Sequence, residues 1–360
     1  MLVLPILAAS HVRAQDQAIR PSGSQAILNQ GKADWFAMRT KTAEQELISA
    51  TKSPATAAEA HYWLGRIYDF KGKAEGAFPG FHEDVSYRPR AEAEFKAAGT
   101  PKPEWIAEAE AVENALKAAD AAIAKLPADA SAADVRAAIE ARITLRPDPM
   151  SYIAGANMLL GRNADLPFVL RLAADGKIAG ERFIRENESS YKLDGKVVAS
   201  LDRNAAAFAD IAGWALYLQG DVTGAEARLA EAARLFRDND LNNQQHLAEL
   251  SVRKGDQNAA EDHYLNVIEL ANAPQNVEQR AKAQIALFTL RAKTGESFDE
   301  SKTWLSEMLE RKREQRRAAL LSNMQGRKLP ALVLKDLQGN KVDLRAERGN
   351  VVLLNFFAAW

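Results

Sequence analysis

An internal repeat of 35 residues constrains the fold of this chain more than any other feature. Gly220-Asp221 recurs as Gly255-Asp256, and each glycine stands between two apolar segments whose large residues have helical spacing. A glycine at this point accepts the left-handed turn that ends the first helix. The pattern therefore predicts two successive helix–turn–helix units, at 206–237 and 241–272.

The residues around the two glycines also match in size. Small residues recur at 213/248 and 225/260, Leu229 corresponds to Tyr264, and Ala232 corresponds to Val267. Small side chains at these positions would let two antiparallel helices approach closely.

Two weaker copies lie on either side. Leu64 to Tyr68, followed by Gly72 and Ala77, has the same internal spacing, which places a unit at 57–85 with an interruption at Phe78-Pro79-Gly80. Another copy surrounds Leu287 and Gly295, at 281–310.

These units resemble tetratricopeptide repeats, which have a helix–turn–helix period of about 34 residues. The resemblance implies an antiparallel helix-pair solenoid within a mostly α region at 15–325, in which the first helices line a concave face. A generic alanine-rich helical bundle is the alternative interpretation.

The rest of this region also has helical spacing. Trp105, Ile106, Val112, Leu116 and Ile123 would form one buried stripe. Pro101 and Pro103 precede that helix, Pro127 follows it, Ser131 with Asp134 resembles a cap for the next helix, and Pro147 and Pro149 form a further joint.

In the two clearest units, the proposed concave face predicts a partner-binding groove. It consists of Trp214, Tyr217, Asn242, Gln245 and Glu249. Aromatic and amide side chains suit an extended peptide or another protein domain. The alternative is that Trp214 and Tyr217 are ordinary packing between helices.

The pattern changes at the C-terminus, after the basic run Arg311 to Arg317, which we expect at the solvated end of a long helix. Residues 331–344 are expected to form two short alternating strands joined by a turn at Asp336-Leu-Gln-Gly339. Residues 351–358 are apolar on both faces of the expected strand, which is typical of a strand in the middle of a covered sheet.

Residues 326–360 resemble the start of a thioredoxin-like domain of the redoxin, periplasmic disulfide-reductase type. The matching elements are Gly326 with Pro330, the Asp336–Gly339 turn, Arg348-Gly349-Asn350, and the segment Asn355 to Trp360. In that family a Cys-x-x-Cys pair follows directly, so the resemblance implies an incomplete domain with a hairpin, one further strand and no catalytic residue. The complete form would be a thiol-disulfide oxidoreductase in cell redox homeostasis, acting on a disulfide-containing protein, and the fragment would be inactive.

Two other functions stay open. One is a non-enzymatic repeat scaffold with a purely structural C-terminal segment, and the other is a peroxidase-type redoxin with a single reactive cysteine in a different loop. The formal net charge of −1 gives no basis for nucleic-acid binding. With no cysteine, the chain also lacks disulfides and thiolate metal sites.

The histidines at 11, 61, 82, 246 and 263 have no paired zinc spacing, and we predict neither a metal nor a cofactor. Asp238 to Asn243 superficially matches a calcium loop, but its sixth position lacks glycine, so we interpret it as an inter-repeat turn and cap. Residues 1–14 resemble a secretory signal peptide, which predicts a periplasmic or secreted protein; no later stretch resembles a membrane span.

Overall fold

The computed structural model shows a mostly α-helical protein with one two-stranded antiparallel sheet. It describes residues 23–73, 84–188, 197–324, 333–335, 338, 340–343 and 346. The chain divides into two compact units, one ending at Leu290 and the other beginning at Arg291.

The first unit contains most of the helices. Its N-terminal half comprises α1 Ser24–Phe36, α2 Thr40–Ala50, α3 Ala57–Lys73, α4 Tyr87–Ala98, α5 Pro103–Ala124, α6 Ala132–Leu145, α7 Pro149–Gly161 and α8 Leu166–Glu186. Its C-terminal half comprises α9 Val197–Gln219, α10 Val222–Phe236, α11 Leu241–Lys254, α12 Gln257–Leu270, a 3₁₀ turn Pro274–Asn276 and α13 Val277–Ala292, whose last two residues belong to the second unit.

Short polar side chains fix where many of these helices begin. The Ser131 hydroxyl accepts the backbone N–H of Asp134 at the start of α6, which confirms the predicted cap. Asp221, Asp240 and Asp256 do the same for α10, α11 and α12. Each carboxylate satisfies an amide that has no partner within its helix and interacts favourably with the helix dipole.

The two helix pairs predicted from the 35-residue repeat are present, as α9 with α10 and α11 with α12. Gly220 and Gly255 have φ of +89° and +75° at the turns, a conformation that glycine adopts without steric cost. The two pairs also contact each other, because α10 packs on α11 and α9 meets α11.

Small residues allow the close packing within the first of these pairs. A Cβ placed on Gly213 would lie 2.7 Å from Leu229 Cγ and 3.0 Å from the Leu229 backbone nitrogen. Ala225, Ala248 and Ala260 have no exposed surface. The small residues that recur in the sequence therefore lie where two helices pack closely.

The unit predicted at 57–85 has a different arrangement. Its first helix, α3, is present, and the helix that packs against it is α4, which begins at Tyr87. Gly72 does not form the turn, since it lies within the last turn of α3. The predicted interruption at 78–80 is outside the described residues.

The stripe predicted on α5 is wrong at one position. Trp105 and Leu116 are buried, whereas Ile106 is 39% exposed. Trp105 and Ile106 are adjacent in sequence and therefore point about 100° apart on the helix, so one stripe cannot bury both fully. Ala109, only 3% exposed, continues the buried stripe one turn after Trp105.

Buried side chains of the first unit form separate clusters rather than one continuous core. Trp63, which has no exposed surface, belongs to a cluster built on α1 to α5. Phe208 belongs to a second cluster built on α6 to α9, and Leu229 with Leu250 belongs to a third on α10 and α11. Successive helices therefore bury their apolar faces mainly against near neighbours in sequence.

The second unit contains the long helix α14, Phe298–Met324, and strands β1 Val333–Lys335 and β2 Lys341–Asp343. Val333 pairs with Asp343 and Leu334 with Val342, which confirms two short antiparallel strands in 331–344. The basic run 311–317 lies within α14 and is mostly exposed.

Several sequence predictions fall outside the described residues. These are the signal peptide at 1–14, Gly326 with Pro330, most of the Asp336–Gly339 turn, Arg348-Gly349-Asn350 and the strand at 351–358 with the motif ending at Trp360. In the part of the chain that the structure does describe, no helix combines the length and apolar character needed to cross a bilayer.

Candidate functional site

Helices α9 and α11 carry all five residues of the predicted partner-binding groove. Trp214 and Tyr217 lie on α9, while Asn242, Gln245 and Glu249 lie on α11. Trp214 and Glu249 are 35 residues apart and so occupy the same position in consecutive repeats. Since the two helices are neighbours, the groove residues share one region of the surface.

Three aromatic rings connect the two helices. The Trp214 ring stacks with the Tyr217 ring at 4.5 Å between centroids and with the His246 ring at 4.2 Å, with interplanar angles of 12° and 11°. All three side chains are half-buried, so part of each remains accessible to solvent. We call Tyr217, Trp214 and His246 the ring stack.

Asp210 fixes one end of the ring stack. Its carboxylate is buried, with 7% of the residue exposed, and its two oxygens lie 3.1 and 3.0 Å from His246 Nδ1. A carboxylate can only accept, so Nδ1 carries the proton. Asn243 Nδ2 donates to the same carboxylate at 2.9 Å, and these bonds hold the imidazole against Trp214.

Arg253 lies at the other end of the ring stack. Its guanidinium carbon is 5.1 Å from the centre of the Tyr217 ring, and its Nη1 donates to the Tyr217 carbonyl at 2.8 Å. The arginine is exposed, so it adds a positive charge at the open edge of the aromatic surface.

The polar members of the predicted groove lie along α11. Gln245 Nε2 donates to Glu249 Oε1 at 2.8 Å, while Gln279 Nε2 on α13 donates to Asn242 Oδ1 at 3.0 Å. Gln245 Oε1 is shielded from solvent and has no hydrogen-bond partner among the described residues.

The pKa of Tyr264, on α12, depends on residues of this surface. Burial raises the pKa of its phenol to about 12, and the nearby Glu249 and Tyr217 add to the shift.

The sequence pattern did not predict Asp210, His246 and Arg253 as members of this surface. Asp210 precedes Trp214 by four residues, and His246 precedes Glu249 by three and Arg253 by seven. These spacings put each set on one helix face, so the signal was present in the helical period. An isolated histidine or aspartate gave no reason to select it.

The segment resembling a calcium loop serves as a turn and cap, as the sequence analysis interpreted it. Arg237 and Asp238 both adopt φ of +55°, and Asp240 Oδ1 accepts the Asn243 N–H at 2.9 Å. Within the described ranges, no group of three or more histidine, aspartate or glutamate side chains is placed to hold a metal ion.

No protein-family model and no curated protein matches this chain.

Proposed function

We propose that this chain is a tetratricopeptide-like helical-repeat protein that binds an extended segment of a partner protein on the surface formed by α9 and α11. The observation that carries the proposal is the ring stack, which joins two consecutive repeats and leaves three aromatic side chains partly accessible. Aromatic side chains combine a large apolar area with few rotatable bonds, which is why they dominate protein-binding surfaces.

The polar groups beside the ring stack suit the backbone of an extended segment. Asn242 of α11 offers an exposed amide, one turn before the half-buried Gln245 on the same helix. The Asn242 amide would bond to the partner backbone while an apolar partner side chain covers the rings, and Arg253 would favour an acidic residue at the Tyr217 end.

A phage-displayed peptide library selected on the whole chain tests this proposal. Selected peptides should bind the wild-type protein at least about tenfold more tightly than Trp214→Ala, because truncation removes the central ring of the surface. Trp304→Ala is the matched control, since Trp304 is also half-buried with an arginine, Arg291, 3.8 Å from its ring.

The same experiment separates binding from ordinary packing between helices. If the rings only pack α9 on α11, Trp214→Ala lowers the unfolding temperature while every selected peptide binds it as tightly as it binds the wild type. That outcome would contradict the proposal.

A second function, thiol-disulfide oxidoreductase in a complete form, is favoured by the small sheet in the second unit. Two antiparallel strands at 333–335 and 341–343 stand where the resemblance to a thioredoxin-like domain expects them. On this proposal the repeat region recruits a disulfide-containing protein to the redox domain, and the protein is periplasmic or secreted. The coding sequence that follows Trp360 tests it: a Cys-x-x-Cys pair supports an enzyme, and its absence supports a scaffold.

A further inference from the structure

A groove lies between α3, α4 and α5, far along the sequence from the ring stack. It is open to solvent and has a volume of about 840 Å³, within the ~300–1,000 Å³ typical of ligand pockets. Four aromatic side chains line it: Trp35, Tyr62, Phe70 and Phe95. Trp35 and Tyr62 are only 8% and 5% exposed, so they form its floor, while the exposed Ile106 stands at its rim.

The aromatic lining is held in place by mutual ring contacts. The Trp35 and Phe70 rings meet edge to face at 5.3 Å, and the Tyr62 ring lies 6.2 Å from that of Phe95. Tyr62 also contacts the ring of Trp105, on α5, at 6.0 Å. A groove whose walls are fixed before binding loses little entropy when it accepts an aromatic side chain.

The charged side chains of the groove do not balance. Both acidic groups that line it have cationic partners, Asp69 with Lys73 at 2.7 Å and Glu113 with Arg66. Lys117 and Arg146 also line the groove, and neither forms an ion pair with any carboxylate in the part of the chain that the structure describes. The charged side chains that line the groove are three cations and two anions, so the lining carries one net positive charge.

Arg146 is the more constrained of these two cations. It follows the last residue of α6, is half-buried, and its Nε has no hydrogen-bond partner among the described residues. Burial lowers the pKa of its guanidinium, which reflects the energy required to hold a charge away from water. A carboxylate in the groove would give this guanidinium a direct ion pair, which neither Asp148 nor Glu113 forms with it.

We propose that this groove binds an extended peptide segment that presents an aromatic side chain next to a carboxylate. The aromatic side chain enters among the four rings, and the carboxylate pairs with Arg146 while Lys117 attracts it at the rim. This site is separate from the α9–α11 surface, so either proposal can fail without the other.

Isothermal titration calorimetry with the whole chain tests the site. The probe is the peptide acetyl-Gly-Glu-Phe-Glu-Gly-amide, and the neutral control is the same peptide with glutamine in place of both glutamates. Wild-type protein should bind the acidic peptide about tenfold more tightly, and Arg146→Gln should abolish that preference.

Lys117→Gln and Lys125→Gln form a matched pair, because both lysines are exposed and both belong to the α5 region. Only Lys117 lines the groove. Lys117→Gln should therefore weaken the binding of the acidic peptide about threefold, while Lys125→Gln should leave its affinity unchanged. This pair decides the question if Arg146→Gln fails to fold. Equal binding of the two peptides by the wild type, equal effects of the two lysine variants, or no binding would overturn the proposal.

Discussion

The helix pairs α9–α10 and α3–α4 begin with similar sequence spacing and fold differently at the turn. In both pairs a glycine of the first helix, Gly213 or Gly65, lies against a large side chain of the second helix. Seven residues later Gly220 adopts positive φ and ends its helix, whereas Gly72 remains helical. The repeated spacing of small residues thus specifies helix contact more reliably than it specifies where a helix ends.

The residues after each glycine explain the difference. Asp221 follows Gly220 directly, and its carboxylate accepts the Gly224 N–H to start α10. Lys73 follows Gly72, so this position has no side chain that can cap a new helix, and α4 begins only at Tyr87. A glycine combined with a capping residue therefore predicts the tight turn.

The largest expected effect comes from filling the two glycine contacts. Gly213→Ala should lower the free energy of unfolding by about 2 kcal/mol, because its Cβ would meet the backbone nitrogen of Leu229, which cannot move alone. Gly65→Ala should cost about half as much, since its Cβ meets only the ring of the half-buried Phe95.

Urea denaturation followed by circular dichroism measures both variants. Gly161→Ala is the matched control, because it lies at the end of α7 with nothing within 4 Å of its added Cβ. A Gly213→Ala protein as stable as Gly161→Ala would show that the close contact between α9 and α10 is absent.

Gly220 and Gly72, which correspond in the sequence spacing, should respond differently to the same substitution. Gly220→Ala forces a side chain into the left-handed region and should cost about 1–2 kcal/mol. Gly72→Ala should change stability by less than about 0.5 kcal/mol, because a gain in helix propensity offsets a 3.2 Å contact with Arg88 Cγ. Equal losses at the two positions would contradict the difference in backbone conformation between Gly220 and Gly72.

A smaller, pH-dependent effect should mark the N-terminal helices. Burial, together with a hydrogen bond to Asp34 and its negative charge, raises the pKa of Glu46 to about 7. The folded state therefore binds a proton that the unfolded chain releases near pH ~4.3. The contribution of this proton to the free energy of unfolding is complete below that pH and is lost as the pH rises through about 7.

Glu46→Gln keeps the neutral form at every pH. It should be more stable than the wild type by about 1 kcal/mol at pH 8, a value reduced for solvent screening, and equal to it near pH 4. Melting temperatures across this range measure the effect. The melting temperature of Glu92→Gln, an exposed substitution on α4, should change with pH as the wild type does. If the melting temperature of Glu46→Gln also changes with pH as the wild type does, the raised pKa does not belong to Glu46.

Local sequence signals predicted much of this structure. The repeat placed α9 to α12, Ser131 marked the start of α6, and alternation at 331–344 marked the two strands. Contacts between distant segments could not be predicted in the same way. The groove joins residues as far apart as Trp35 and Arg146, and no periodic pattern relates two positions whose proximity depends on the packing of several helices.

The candidate site shows the same limit at shorter range. Trp214 and Tyr217 were predicted because large aromatic residues stand out on a helix face, while His246 was missed because its role depends on a ring and a carboxylate of the preceding repeat. Repeat register predicts which helices are neighbours but not which side chains meet between them.

Hydrogen–deuterium exchange of the whole chain, with and without a selected peptide that Trp214→Ala binds at least about tenfold more weakly, tests the central claim most directly. If α9 and α11 form the binding surface, the peptide should slow amide exchange at 210–217 and 242–253 and leave 222–236 and 257–270 unchanged. Slower exchange confined to α10 and α12, or to residues outside 197–292, would contradict the account.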